Sequence, residues 1–100
     1  MSDFDRDKLY NLLTEIPKGK VVTYGILAEK LGNKRWARAV GNALHDNPDG
    51  DKYPCYKVVS SSGKLSPCYA FGGIEAQKSR LLADGIKVEN YKVNLKTYGA

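Results

Sequence analysis

The sequence predicts a single, mostly helical domain with small β elements, organised around a helix-turn-helix. Leu9, Leu12, Leu13 and Ile16 recur at i, i+3, i+4 and i+7, the spacing of one helical face. Two further helical stretches, Tyr24–Leu31 and residues 34–45, meet at Gly32-Asn33, a helix stop followed by a helix cap. The 100 residues are 42% hydrophobic, enough for one core and one domain.

The elements follow in order. The first helix lies within residues 4–16 and is stopped by Pro17-Lys18-Gly19. Val21-Val22 is short and extended. Thr23 is placed to cap the helix Tyr24–Leu31, which Gly32 ends. Asn33 caps the next helix, which runs to about residue 45, before Asn47-Pro48-Asp49-Gly50. The helix-turn-helix thus spans about residues 23–46. Residues 57–60 read as a strand and 61–64 as a turn. Residues 66–73 read as a loop, followed by a helix over 74–83 closed by Gly85. Residues 86–88 and 91–95 are expected to form a small terminal hairpin around Glu89-Asn90.

Composition narrows the function classes. Lys and Arg number 16 against 11 Asp and Glu, and the net charge of +5 suits a polyanion. No apolar run of about 18 residues exists, so no transmembrane helix is expected. Residues 1–8 lack a signal-peptide pattern, so the protein is expected inside the cell, its two cysteines reduced. Two cysteines and one histidine are too few soft ligands for a four-coordinate zinc site, and no metal or other cofactor is expected.

Cys55 is the central candidate. It follows Pro54 and precedes an apolar, β-branched run, and it reads either as a buried structural thiol or as a nucleophile. In a strand, Lys57 would point to the same side as Cys55 and Tyr56 to the other. Arg35 and Arg38, three apart in a helix rich in small residues, share a face. Arg38 reads as a phosphate contact, a base contact or a solvated charge. Tyr24 stands in a helical first turn, where a phenol and backbone N–H groups meet a phosphate or the ring simply packs. Trp36 is read as core or partial anchor, His45 as a helix-end residue favourable to the dipole. Cys68 sits in a loop beside Pro67.

Taken together, these motifs resemble one family. Ile16-Pro17-Lys18-Gly19-Lys20-Val21-Val22-Thr23-Tyr24-Gly25-Ile26-Leu27-Ala28 resembles the IPxGxVxTYGxIA opening of O6-alkylguanine-DNA alkyltransferases. Ala37-Arg38-Ala39-Val40-Gly41-Asn42-Ala43 and Asn47-Pro48 resemble its recognition helix and following turn. Pro54-Cys55-Tyr56-Lys57-Val58-Val59 is similar to its PCHRVV active site, and Ser62-Gly63-Lys64-Leu65 and Tyr69-Ala70-Phe71-Gly72-Gly73 continue in order. The resemblance covers roughly residues 4–85. It implies a winged-helix-type helix-turn-helix domain, with the reactive strand and loop over 54–73. The family's usual N-terminal domain has no counterpart in these 100 residues. The short alkyltransferase-like proteins, which bind alkylated DNA without repairing it, are similar in that respect and in the tail from Gly85 to Leu95.

The resemblance also implies roles. The partner would be double-stranded DNA containing alkylated guanine, bound by a monomer. Tyr24 would press on the phosphate beside the target, and Arg38 would fill the place of the extruded nucleotide. Arg35, Ala37, Gly41 and Thr23 would complete the DNA surface. Leu44, Val58 and Tyr69 would line the base pocket, and Ala70 would offer a backbone N–H to the guanine oxygen. Asn47 would order the active-site network, and Cys55 would take the alkyl group. The departures are Tyr56 in place of the family histidine, Lys57 in place of arginine, Asp84 as the nearest equivalent of a glutamate that orients the histidine, and a longer loop at Ser66-Pro67-Cys68. A tyrosine, with a pKa of about 10, is a poor base beside a histidine.

Overall fold

A computed structural model describes residues 4–67 and 69–100. Residues 1–3 and Cys68 lie outside the described residues. The chain forms α1 (Arg6–Thr14), β1 (Val22–Thr23), α2 (Tyr24–Leu31), a 3₁₀ turn (Lys34–Trp36), α3 (Ala37–His45), a second 3₁₀ turn (Cys55–Lys57), β2 (Val58–Val59), α4 (Gly73–Ala83) and α5 (Leu95–Tyr98). The mostly helical reading with a small sheet holds. Among the described residues no helix is long and apolar enough to cross a membrane.

Local chemistry explains the boundaries. Asp5 accepts hydrogen bonds from the Asp7 and Lys8 N–H groups and starts α1. Thr23 accepts from the Ile26 N–H at 3.2 Å and starts α2. Gly32 ends α2 at φ 116°, a conformation that glycine adopts without penalty. Asn33 accepts from the Arg35 N–H at 2.9 Å, but what it caps is the 3₁₀ turn. The continuous helix expected over residues 34–45 is therefore split, with α3 proper beginning at Ala37. Arg35 and Arg38 fall on different elements, so helical spacing does not relate them.

The sheet is minimal. β1 runs parallel to β2, with Val22 opposite Val58 and Thr23 opposite Val59. The other side of β2 is served by a side chain. Gln77 Nε2 donates to the carbonyls of Tyr56 (3.0 Å) and Val58 (3.1 Å), and Ser66 N–H donates to Gln77 Oε1 at 2.7 Å. A buried amide thus stands where a third strand's peptide group would, satisfying an otherwise open edge.

The segment that carries Cys55 differs from the expected strand. Residues 55–57 form a 3₁₀ turn, and the strand begins only at Val58. Lys57 consequently does not lie beside Cys55. Its buried ammonium donates to the carbonyls of Ile16 (3.3 Å) and Pro17 (3.1 Å) and pairs with Asp84 Oδ2 at 3.4 Å. Asp84 also accepts from the Gly19 N–H at 2.8 Å. The terminal hairpin is likewise reduced. Glu89 and Lys92 bridge each other, but Lys92 also bridges Lys64. Leu65 N–H donates to Tyr91 O and Val93 N–H to Gly63 O, both at 2.9 Å. Leu95 opens a helix instead of closing a strand, because the tail finds its partners on residues 63–65 and on Val21.

The core joins Leu9 and Leu13 of α1, Leu27 and Leu31 of α2, Val40 of α3, the two strands, Leu81 of α4 and Ile86. Removing the ammonium of Lys57 leaves the Asp84 carboxylate buried and unpaired. Lys57→Met is expected to cost about 3 kcal/mol in denaturant unfolding. Lys34→Met, which removes an exposed pair with Glu29 at 3.6 Å, should cost under about 0.5 kcal/mol.

Candidate functional site

Cys55 is brought to a pocket by rigid neighbours. Tyr10 of α1 donates to the Ala43 carbonyl at 2.9 Å and stacks on Tyr53 at 5.2 Å between ring centroids. The buried Asn47 donates to the Tyr53 carbonyl at 2.7 Å and accepts from the Asp49 N–H at 3.0 Å. Pro54 then turns the chain, and the Cys55 N–H closes back on Tyr53 O at 2.7 Å. Beyond the turn, Gln77 and β1 hold β2.

The pocket has a volume of about 360 Å³, within the usual range for small-ligand sites. Its wall contains Tyr24 at the start of α2, Leu44 on α3, Cys55, Val58, Tyr69 and Ala70. The structure therefore gathers around the thiol all four residues expected to line a base pocket, together with Tyr24. Gly41, expected on a DNA surface, also reaches this wall. A Cβ at Gly41 would meet nothing within 4 Å, so no packing inside the chain requires glycine there.

Other expected residues lie outside the pocket. Arg35 and Arg38 are exposed, and Arg38 has no ion-pair partner among the described residues. Ala37 is half-buried and Thr23 buried in its capping role. Tyr56 is buried but absent from the pocket wall. The Arg80 guanidinium lies 4.8 Å from its ring centroid and the Lys57 ammonium 6.0 Å. Asp84 is engaged by Lys57 and Gly19 and lies off the pocket wall.

Electrostatics set the state of the thiol. Burial pushes Cys55 above the ordinary thiol value, opposed by a hydrogen bond from the Asn47 side chain and by the Arg80 guanidinium. Burial also raises the Tyr56 phenol, reinforced by the Asp84 charge and opposed by Arg80. At neutral pH the site thus holds a thiol and neutral phenols, a quiet arrangement that needs an event to ionise the sulfur.

Sequence reasoning did not assign Asn42, His45, Ser66 or Gln77 to the pocket wall that they complete, and it did not reach Arg80. Gln77 carried a legible signal. With Ile74 and Leu81 it occupies i, i+3 and i+7 on α4, a polar residue on the stripe that faces inward. Arg80 carried none, because its proximity to Tyr56 is a tertiary fact.

Residues 5–86 match the family described as 6-O-methylguanine DNA methyltransferase, DNA binding domain. A bifunctional methyltransferase/endonuclease of Picrophilus torridus is 47% identical over 90 residues, covering 90% of this chain but only 30% of that protein. A DNA base-flipping protein of Vibrio parahaemolyticus is 39% identical over 92 residues, covering 91% of this chain and 90% of that protein. The structure of Schizosaccharomyces pombe Atl1 in complex with damaged DNA containing O6-carboxymethylguanine superposes with a TM-score of 0.86 at 34% identity, covering 95% of this chain and 93% of that one.

The raised thiol predicts a pH profile. Modification of Cys55 by iodoacetamide, followed on the peptide that carries it, should climb about tenfold per unit between roughly pH 7 and 8.5 without a plateau. A plateau already reached at pH 7 would reveal a stable thiolate.

Proposed function

The chain belongs to the family of 6-O-methylguanine DNA methyltransferase DNA-binding domains, and from that premise we propose that it binds duplex DNA containing O6-alkylguanine, rotates the damaged nucleotide into the Cys55 pocket and takes the alkyl group onto its own sulfur. The observation that carries this reading is the shared wall of one pocket. Cys55, Tyr24 and the α3 residues Gly41 and Leu44 converge there, so the helix-turn-helix and the nucleophile serve the same ligand.

On this reading the steps run in order. A stacked base is out of reach of a buried thiol, so it must leave the duplex at a cost of a few kcal/mol. The exposed Arg38 is free to fill the vacated place, and Arg35 adds a backbone contact. Ala37 and Gly41 keep the surface of α3 low, which lets a groove come close; a minor-groove mode reads sequence poorly and therefore suits a lesion found in any context. Leu44 and Val58 supply apolar walls, Ala70 a backbone N–H, and Asn47 a hydrogen bond to the sulfur. Cys55 then loses its proton to solvent, the S–C bond forms and the alkyl C–O bond breaks. The bonding pair stays on the guanine base, and a proton taken from solvent at N1 restores guanine. The thioether is stable, so each molecule acts once.

A second reading has a specific observation behind it. The thiol is held protonated by burial, and Tyr56 stands outside the pocket. Those features suit a protein that binds the lesion and leaves it for other factors.

The two readings separate by mass. Incubation with a duplex containing O6-methylguanine should add one methyl group, mapped to Cys55 and lost in Cys55→Ser. Tight lesion binding with no added mass favours the second reading, and binding no tighter than to an undamaged duplex refutes both. Arg38→Ala should weaken lesion binding about tenfold while leaving the melting temperature within about 2 °C, since an exposed side chain contributes little to folding. A large loss of stability would make Arg38 structural.

A further inference from the structure

The Tyr69 side chain is 8% exposed, and among the described residues its hydroxyl is a buried polar group with no hydrogen-bond partner. Such groups are rare, because an unpaired buried hydroxyl weakens the state that contains it. Tyr69 is on the wall of the Cys55 pocket. Its ring is fixed from outside by Phe71, at 5.8 Å between centroids and 61° between planes. Phe71 in turn lies over Gly50, where a Cβ would come within 2.9 Å of its ring. The ring is thus held in place while its polar atom goes unsatisfied.

One other polar side chain of the pocket wall is fully committed. Gln77 is used on both ends by the backbone of β2 and Ser66, and Tyr56 is turned away. We propose that the Tyr69 hydroxyl is a binding group reserved for the base that occupies the pocket, donating a hydrogen bond to an acceptor on an alkylated purine. Burial raises the phenol further above its ordinary value, with the nearby Cys55 acting the same way, so it is a neutral O–H donor throughout the physiological range. The chemistry favours the lesion. Guanine carries hydrogen on N1, whereas alkylation at O6 removes it and leaves N1 an acceptor. Donation to N1 is therefore open to the alkylated base and closed to the normal one. This inference rests on the lesion-binding reading above and assigns part of its selectivity to one atom.

Tyr69→Phe deletes only that atom, and the two consequences have opposite sign. The free protein loses an unsatisfied buried hydroxyl, so its melting temperature should rise, by about 4 °C. Affinity for a duplex with a central O6-methylguanine should fall about tenfold, while affinity for the same duplex with guanine should change less than about twofold. An unchanged ratio of the two affinities in Tyr69→Phe overturns the proposal. So does a lower melting temperature accompanied by equal losses on both duplexes, which would make the hydroxyl structural. If the wild-type protein itself binds both duplexes alike, the lesion reading fails and this inference fails with it.

Discussion

The buried ammonium of Lys57 holds the Cys55 end of the molecule together. It joins the carbonyls that end the first helical segment, the carboxylate that follows α4, and the turn that carries Cys55. A charge taken out of water is tolerated only when its partners are close and nearly complete. Each of those partners comes from a different part of the chain, so the pair forms only when the whole domain is assembled.

A second constraint links recognition to chemistry. Val22-Thr23 pairs with Val58-Val59, and the same Thr23 caps α2. Tyr24, the next residue, is therefore fixed relative to Val58 and Cys55. This short parallel ladder is too small to be stable alone. It persists because the strands are buried on the core and because Gln77 closes the far side of β2. The tail adds its own bonds to Val21 and to residues 63–65, bracing the turn after β2.

The chemistry of the site is that of a held reserve. Burial keeps the thiol and the phenols neutral, which shields the sulfur from casual modification. Ionisation of the sulfur then calls for new hydrogen bonds or charge at the pocket, since further burial would only hold the proton more firmly. Tyr56 has left that pocket for the face of Arg80, so the position where relatives of the resembled family place a histidine serves packing here. In the proposed reaction the exposed Arg38 would open the duplex and the Cys55 pocket would receive the base.

Much of this was legible in the residues. The spacing of Leu9, Leu12, Leu13 and Ile16, the cap at Thr23 and the stops at Gly32 and Gly85 are local, since each depends on neighbours within a few positions, and they placed α1, α2 and α4 to within about two residues. The ordered motifs also marked Tyr24, Leu44, Cys55, Val58, Tyr69 and Ala70, and these side chains do meet. What failed was every inference that assumed regular geometry across a junction. The helix over residues 34–45 broke at Ala37, the strand around Cys55 became a 3₁₀ turn, and the final hairpin opened toward residues 63–65. By itself the sequence determined the helical elements and the residues that carry the chemistry, because periodicity and capping act over short range. Only the tertiary structure decided that Lys57 serves Asp84 instead of Cys55, that Tyr56 faces Arg80 and that the Tyr69 hydroxyl is left without a partner, because a side chain's direction depends on what packs against it from distant parts of the chain.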